Sequence, residues 1–359
     1  MKTALSLSRY IVGILFIISA LVKANDPLGL SYKMQEFFEV WGWHSLNDYT
    51  LALSVLMIAF EIIAGVAVII GWQMKLFSWL LLLLILFFTF LTGYALFSGK
   101  IKTCGCFGDC IPLTAAQSFL KDIFLLLLIL LLFFNRHRFR APKNTGRAVL
   151  LLLASVLVSF GLQWYVLKHI PLVDCLPYKK GKVIQDQLKV PPGAIPDSTV
   201  ISFVYNKGGK EVEFTADAFP EDFSEDSYQF LRRYDKLVRK GNAEPPIKDF
   251  VLLAPSGADS TAEILNTPGN QYWLFVRSID ESSAPAVKKA IETLKPLLII
   301  TPVEEALRHQ LADALQNSTV LKCDAVAVKT AARNPQTLYQ VNQGRIIDKW
   351  ALRDAPQIH

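Results

Sequence analysis

Five residues in this chain are suited to redox or nucleophilic chemistry: Cys104, Cys106, Cys110, Cys175 and Cys323. Three fall in one run, Cys104-Gly-Cys106-Phe-Gly-Asp-Cys110. Gly105 and Gly108 permit the tight backbone that brings near neighbours together. A bridge closing a very short loop gains little chain entropy and is readily strained. Strained, exposed disulfides are the labile ones. The run therefore reads as a thiol–disulfide redox site. Two other readings stand beside it. One is a structural staple. The other is metal capture by three thiolates, which suit Cu(I), Zn or iron–sulfur clusters, although no His lies in the loop to complete the set. Within the redox reading, Cys106–Cys110 is the expected resident bridge, because three intervening residues strain it less than one. Cys104 is then left to exchange with Cys175, with Lys100 and Lys102 favouring the thiolate. Cys323 reads as a buried core thiol.

Those cysteines must be positioned by the apolar stretches around them. Five stretches reach the length of a membrane span: 7–22, 51–70, 76–96, 119–134 and 148–167. The first, flanked by Lys2, Arg9 and Lys23, reads as a retained span rather than a signal peptide. The loop at 135–147 carries Arg136, Arg138, Arg140, Lys143 and Arg147 and no acid. The bias of Lys and Arg to cytoplasmic loops puts it inside. Alternation then puts 24–49, 98–114 and everything after Lys168 outside. All five cysteines fall on that side, where disulfides persist. Glu61 lies mid-span, and intramembrane charge is functional by default. It reads either as a proton carrier or as a helix–helix hydrogen bond that fixes packing. Lys121 and Asp122 read as interfacial snorkelling, and Trp41, Trp43, Trp72 and Trp79 as an aromatic belt.

The charge balance agrees with a two-part chain. Up to residue 170 there are 14 Lys+Arg and 7 Asp+Glu; beyond it there are 23 and 24. The net charge of +6 therefore sits in the membrane half. A nucleic-acid binder would carry its basic patch on a soluble surface, so nucleic acid is excluded as a partner and the lipid bilayer takes its place.

Beyond the spans, 174–196 reads as a Pro/Gly-punctuated linker. Residues 199–205 and 212–215 read as strands across a Gly208-Gly209 turn, and 223–239 as a helix. Strands are expected at 250–254, 271–278, 297–301 and 320–328, with helices at 285–294 and 303–315. The alternation implies α/β. The tail 336–350 is a strand, a turn at Gly344 and a second strand. With Pro335 just before it, this hairpin resembles the thioredoxin fold, whose cis-proline occupies that place. The loop that carries Cys-x-x-Cys in an active thioredoxin is here Ser278-Ile-Asp-Glu-Ser-Ser-Ala-Pro285, without cysteine. Dithiol activity of that fold is therefore not carried over.

The run Cys104-Gly-Cys106-Phe-Gly, the following Thr114-Ala-Ala-Gln-Ser-Phe-Leu-Lys-Asp122, the first-span Ser19-Ala-Leu-Val-Lys23 leading to Asp26-Pro27, and Glu61 with Gly65 resemble the MauE branch of the DoxX-like membrane proteins. The resemblance covers about residues 1–140. It implies a four-helix redox-associated module, similar in plan to the quinone-linked DsbB and vitamin K epoxide reductase bundles. It also implies a link to methylamine dehydrogenase maturation, where a periplasmic subunit needs disulfides. The fifth span and the outer domain depart from a simple MauE protein.

The expected fold is a membrane α-helical bundle, four DoxX-like helices plus a fifth span, followed by a soluble α/β thioredoxin-like domain. The expected divisions are 1–140, a fifth span in 141–170, a linker and small α/β extension at 171–249, and a degenerate thioredoxin-like domain at 250–359. The expected function is membrane thiol–disulfide exchange or protein maturation in the bacterial inner membrane. Its site is Cys104, Cys106, Cys110, Cys175 and Glu61, its electron partner a quinone, and its client a periplasmic protein; no resident metal is assigned. Two other classes compete: a membrane-anchored binding module with a structural cysteine loop, and a component that handles metal or a small solute.

Overall fold

Helix boundaries in the first half follow the local caps. In the computed structural model, described for residues 2–356 except 102–104, 106, 196–197, 217, 225, 240, 242 and 317, α1 runs over Lys2–Ala24. Asp26 then accepts a hydrogen bond from the Gly29 amide, and Pro27 supplies a preset first helical residue, so α2 starts at once and covers Pro27–Trp41. Gly42, in the left-handed region at φ 73°, ends it. α3 covers Thr50–Ile70 and α4 covers Met74–Ser98. Thr114 and Gln117 form a capping box at the start of α5, Ala115–Phe134, and Asn144 caps α6, Thr145–Lys168. Among the described residues, five helices are long and apolar enough to cross a membrane, the second candidate starting already at His44. The expected loop at 24–49 is corrected: most of it is α2, whose Leu30 and Phe37 are buried while Glu39 is exposed.

α1 and α3 approach closely through Gly13 and Gly65. A Cβ on Gly13 would lie 2.8 Å from the Gly65 carbonyl, and one on Gly65 would lie 2.9 Å from the Gly13 carbonyl. Small residues at such a crossing let backbones meet where no hydrophobic force drives them together. This contact sets α1 against the face of α3 that carries Glu61.

A short helix α7, Ile184–Gln187, leads into the outer part. There β1 (Ser198–Lys207), β2 (Lys210–Thr215) and β3 (Gln229–Arg239) form an antiparallel sheet in the order β2-β1-β3. The expected helix at 223–239 is therefore corrected. Tyr228 is buried against Phe214 and Phe223, while Phe230, Leu231 and Tyr234 are exposed. The segment instead pairs its backbone with β1, with Phe230 opposite Tyr205 and the rings 5.5 Å apart.

After α8 (Thr261–Asn266), the strands β4 (Asn270–Val276), β5 (Leu297–Thr301), β6 (Thr319–Lys322), β7 (Gln336–Asn342) and β8 (Arg345–Ala351) form a second sheet, ordered β6-β5-β4-β7-β8. β4, β5 and β6 are parallel, while β7 runs antiparallel to both β4 and β8. Helices α9 (Ala284–Thr293), α10 (Glu304–Leu315) and α11 (Ala325–Ala331) complete a thioredoxin-like α/β domain. Alternate residues of β4 serve two cores. Trp273 and Phe275 face one with Tyr339 and Leu321; Leu274 and Val276 face the other with Val287 of α9 and Leu307 of α10. The segment read as a linker takes part in the first core, where Tyr178 and Ile184 are buried. The strand expected at 250–254 is replaced by isolated bridges from Leu253 to Asp259 and Lys322. The strand at 320–328 stops at Lys322, because Asp324 caps α11 through the Val326 and Ala327 amides. The cis bond expected before Pro335 lies elsewhere, between Lys295 and Pro296.

Candidate functional site

The disulfide is formed by Cys110 and Cys175, whose Cα atoms are 4.9 Å apart. It joins the loop before α5 to the segment after α6. The expected Cys106–Cys110 bridge, with Cys104 exchanging on Cys175, is corrected on this point. α1, α5 and α6 bring the two connections to one end of the bundle, and Cys175 emerges there beside Cys110. Cys104 and Cys106 lie outside the described residues. With Cys110 in a disulfide, its sulfur is no longer a thiolate, so the three-thiolate metal set is not assembled in this state. Among the described residues, no group of three His, Cys, Asp or Glu side chains is placed to hold a metal.

Polar groups from three parts of the chain surround the bridge. The Asn25 amide lies 4.0 Å from Cys110 Sγ, donates to the Val173 carbonyl at 2.8 Å and accepts from the Val173 amide at 2.9 Å. Arg333 reaches in from the outer domain. Its Nε donates to Asp26 at 2.7 Å and its Nη2 to Asp109, the neighbour of Cys110, at 2.8 Å. Burial lowers the Arg333 pKa, but Asp26 and Asp109 outweigh it and hold the guanidinium above its ordinary value. Lys349 pairs with Asp174, the neighbour of Cys175, at 2.8 Å. Burial pushes the Lys349 pKa down, with the Asp174 carboxylate opposing the shift. Asn334 donates to the Leu167 carbonyl at 3.1 Å, and His169 meets Asp354 at 2.8 Å. The end of the domain that carries Pro335 is thus turned toward the chain's own membrane helices.

Directly inside the bundle is a second polar cluster. Glu61 is buried and receives both oxygens' hydrogen bonds from Lys23. Lys23, read from sequence as the end of a span, is 2% exposed and points inward. The expected snorkelling of Lys121 and Asp122 holds for neither as a pair: Asp122 is fully buried, accepts from Thr92 at 3.0 Å and meets Lys121 at 2.9 Å. Lys121 is partly buried and lies 5.1 Å from the centre of the Phe107 ring, in the cysteine loop. Lys23, Glu61, Asp122 and Phe107 line a cavity of about 20 Å³, enough for roughly one water. The sequence reads Asp122 as interfacial and Lys23 as the flank of a span; both are buried functional candidates. Their signal was charge inside an apolar helix, the same signal that singled out Glu61.

Cys323 is buried just beyond β6, and burial pushes its thiol up to about 11. It is therefore a protonated, unreactive thiol at neutral pH. In the folded full-length chain a maleimide at pH 7 is expected to leave Cys323 unmodified and to label it on unfolding, as peptide mass spectrometry would read out. Between its ordinary value and about 11, the unfolded chain ionises this thiol and the folded chain does not, so its contribution to stability fades as pH rises through that window. Rapid labelling of native Cys323 at pH 7 would refute the assignment.

Residues 1–135, which hold α1 to α5, match the family described as methylamine utilisation protein MauE; α6 lies beyond the match. Residues 199–240, which hold β1 to β3, match a domain of unknown function (DUF8463). The chain is similar to Protein TlpB of Flavobacterium psychrophilum, 28% identical over 158 residues, 42% of this chain. The chain matches 42% of the length of that relative. No solved structure matches the chain.

Proposed function

We propose that this multi-span membrane protein carries out thiol–disulfide exchange at the outer face of the bacterial cytoplasmic membrane, with Cys110–Cys175 as its redox pair. One observation carries the reading: the bridge lies half-buried among polar and charged groups at the end of a helix bundle, not in an apolar core. In each turn a client dithiol attacks the bridge and leaves as a disulfide, while Cys110 and Cys175 become thiols. Two electrons and two protons pass from client to pair. Cys104 and Cys106, near neighbours in the same loop, are the residues through which a client would be engaged. The thioredoxin-like domain lacks cysteines in its active loop and holds the site through Arg333 and Lys349. The basic loop at 135–147 lies between α5 and α6, at the opposite end of both helices from the cysteines. By the positive-inside rule the cysteine end is periplasmic.

The test is thiol trapping in intact cells with a maleimide-polyethylene glycol reagent that does not cross the membrane. A short exposure to dithiothreitol, without denaturant, is expected to add two reagent molecules, at Cys110 and Cys175. Withdrawing the reductant should restore the bridge. A bridge that resists reduction until the protein is denatured would make it a staple and favour the binding-module reading. Labelling only after the membrane is broken would overturn the orientation.

A further inference from the structure

A second cavity, of about 190 Å³, lies between α2, α3 and α4 at the cysteine end of the bundle, with the side chain of Lys23 on its wall. The remainder of its lining is apolar apart from Lys33, and includes Met34, Phe37, Trp41 and Phe88. Leu53 of α3 and Phe87 of α4, which also line it, are 41% and 43% exposed. Both belong to membrane-spanning helices, so the mouth opens toward lipid rather than water. Ligand pockets for whole drug-sized molecules run to about 300–1,000 Å³; this one admits a single substituted ring, with any tail left in the bilayer.

The charge at the wall narrows the occupant further. Lys23 is already neutralised by Glu61, so an anionic head group would bring an unpaired negative charge into an apolar slot. An ammonium has three N–H bonds, of which the Glu61 oxygens take two. The third can serve a neutral acceptor such as a carbonyl. Lys23 Nζ also lies 4.9 Å from the centre of the Phe88 ring, which fixes it at the cavity wall. The slot is close to the redox pair. Asn25, which approaches Cys110, is two residues from Lys23. A Cβ on Gly108 would lie 3.8 Å from Val22, and one on Gly105 would lie 2.9 Å from the Cγ of Lys33, another residue of the cavity.

We infer that this cavity binds the ring of a lipid-soluble quinone, with Lys23 hydrogen-bonded to one ring carbonyl, as the electron acceptor of Cys110 and Cys175. The inference rests on the reading of that pair as redox-active. The step balances: the two thiols lose two electrons and two protons and form the S–S bond, and the quinone gains both to become a quinol.

The probe is decylubiquinone, added anaerobically to the full-length chain in nanodiscs, with tryptophan quenching for binding and alkylation for the thiols. Quenching is expected to saturate, and the reduced pair to reoxidise with one quinone consumed per bridge. The Met57→Phe/Leu91→Phe chain narrows the slot, and the Lys23→Met/Glu61→Leu chain removes the ammonium together with its counter-charge. Each is expected to weaken binding at least tenfold, with Cys110–Cys175 formation as the check of folding. Cys110→Ser/Cys175→Ser is expected to bind as the parent does. Unsaturable quenching, parental affinity in the two cavity variants, or equal displacement by hexadecane would overturn the site. Saturable binding without thiol oxidation would instead overturn the redox reading and leave the binding site standing. Thiol oxidation without saturable binding would do the reverse.

Discussion

Cys110→Ser and Cys175→Ser are each expected to reduce client oxidation to background while the chain still inserts and folds. Either change leaves one sulfur with no partner in the bridge, so the two-electron step has no place to occur. Loss of the covalent tie is a separate effect. The bridge spans 65 positions, for which the chain-entropy estimate gives about 4 kcal/mol. That figure assumes an unfolded loop. Here α5 and α6 lie inside the loop, and membrane insertion already removes most of its freedom, so the measured loss should fall well below it. The remaining contacts are independent of sulfur: Asn25 with Val173, Arg333 with Asp26 and Asp109, and Lys349 with Asp174. Cys104→Ser and Cys106→Ser should keep the bridge and slow only its encounter with clients. The measurement is oxidation of a dithiol client beside a denaturation curve. A staple would show the opposite balance, with stability lost and oxidation unchanged.

How far this was legible in the sequence depends on whether the deciding physics is local. Span number and the α/β character of the outer half are written in long apolar runs and in strand–helix alternation. α2 was equally legible, since Asp26-Pro27 starts it, Leu30, Met34, Phe37 and Trp41 repeat at helical spacing, and Gly42 ends it. It was passed over because Lys33, Glu36 and Glu39 made the segment read as an outer loop. β3 was not legible in the same way. Residues 229–239 have helix-compatible spacing, and their strand state comes from pairing with β1, some thirty residues earlier. The disulfide likewise depends on which helix ends meet. Spacing favoured Cys106–Cys110; packing of α1, α5 and α6 brings Cys175 to Cys110 instead. Glu61 stood out alone, but nothing in one sequence says that Lys23, 38 residues away, is its partner.

The Lys23–Glu61 pair should show the largest stability effect of any single substitution in the membrane segment. Both side chains are buried, at 2% and 1% exposure. Lys23→Met leaves a carboxylate with no counter-charge in the bundle, and Glu61→Leu leaves an ammonium; breaking a buried pair on one side costs about 3–5 kcal/mol. Lys23→Met/Glu61→Leu removes both charges and should recover most of the folded yield. Glu61→Gln separates fold from chemistry. The amide keeps the shape and an oxygen to accept from Lys23 but not the counter-charge, so yield should fall less than in Glu61→Leu. It has no ionisable proton to pass, however, and it faces the small cavity beneath Phe107 that links the ion pair to the cysteine loop. Reoxidation of Cys110 and Cys175 should therefore slow by roughly 10²-fold, the usual contribution of a positioned proton carrier. The paired measurement is monodisperse yield in detergent and the rate of thiol reoxidation in the same preparation. If Glu61→Gln lowers both in proportion, the carboxylate acts by holding α1 to α3. If it lowers the rate far more than the yield, the proton that leaves the thiols travels through Glu61.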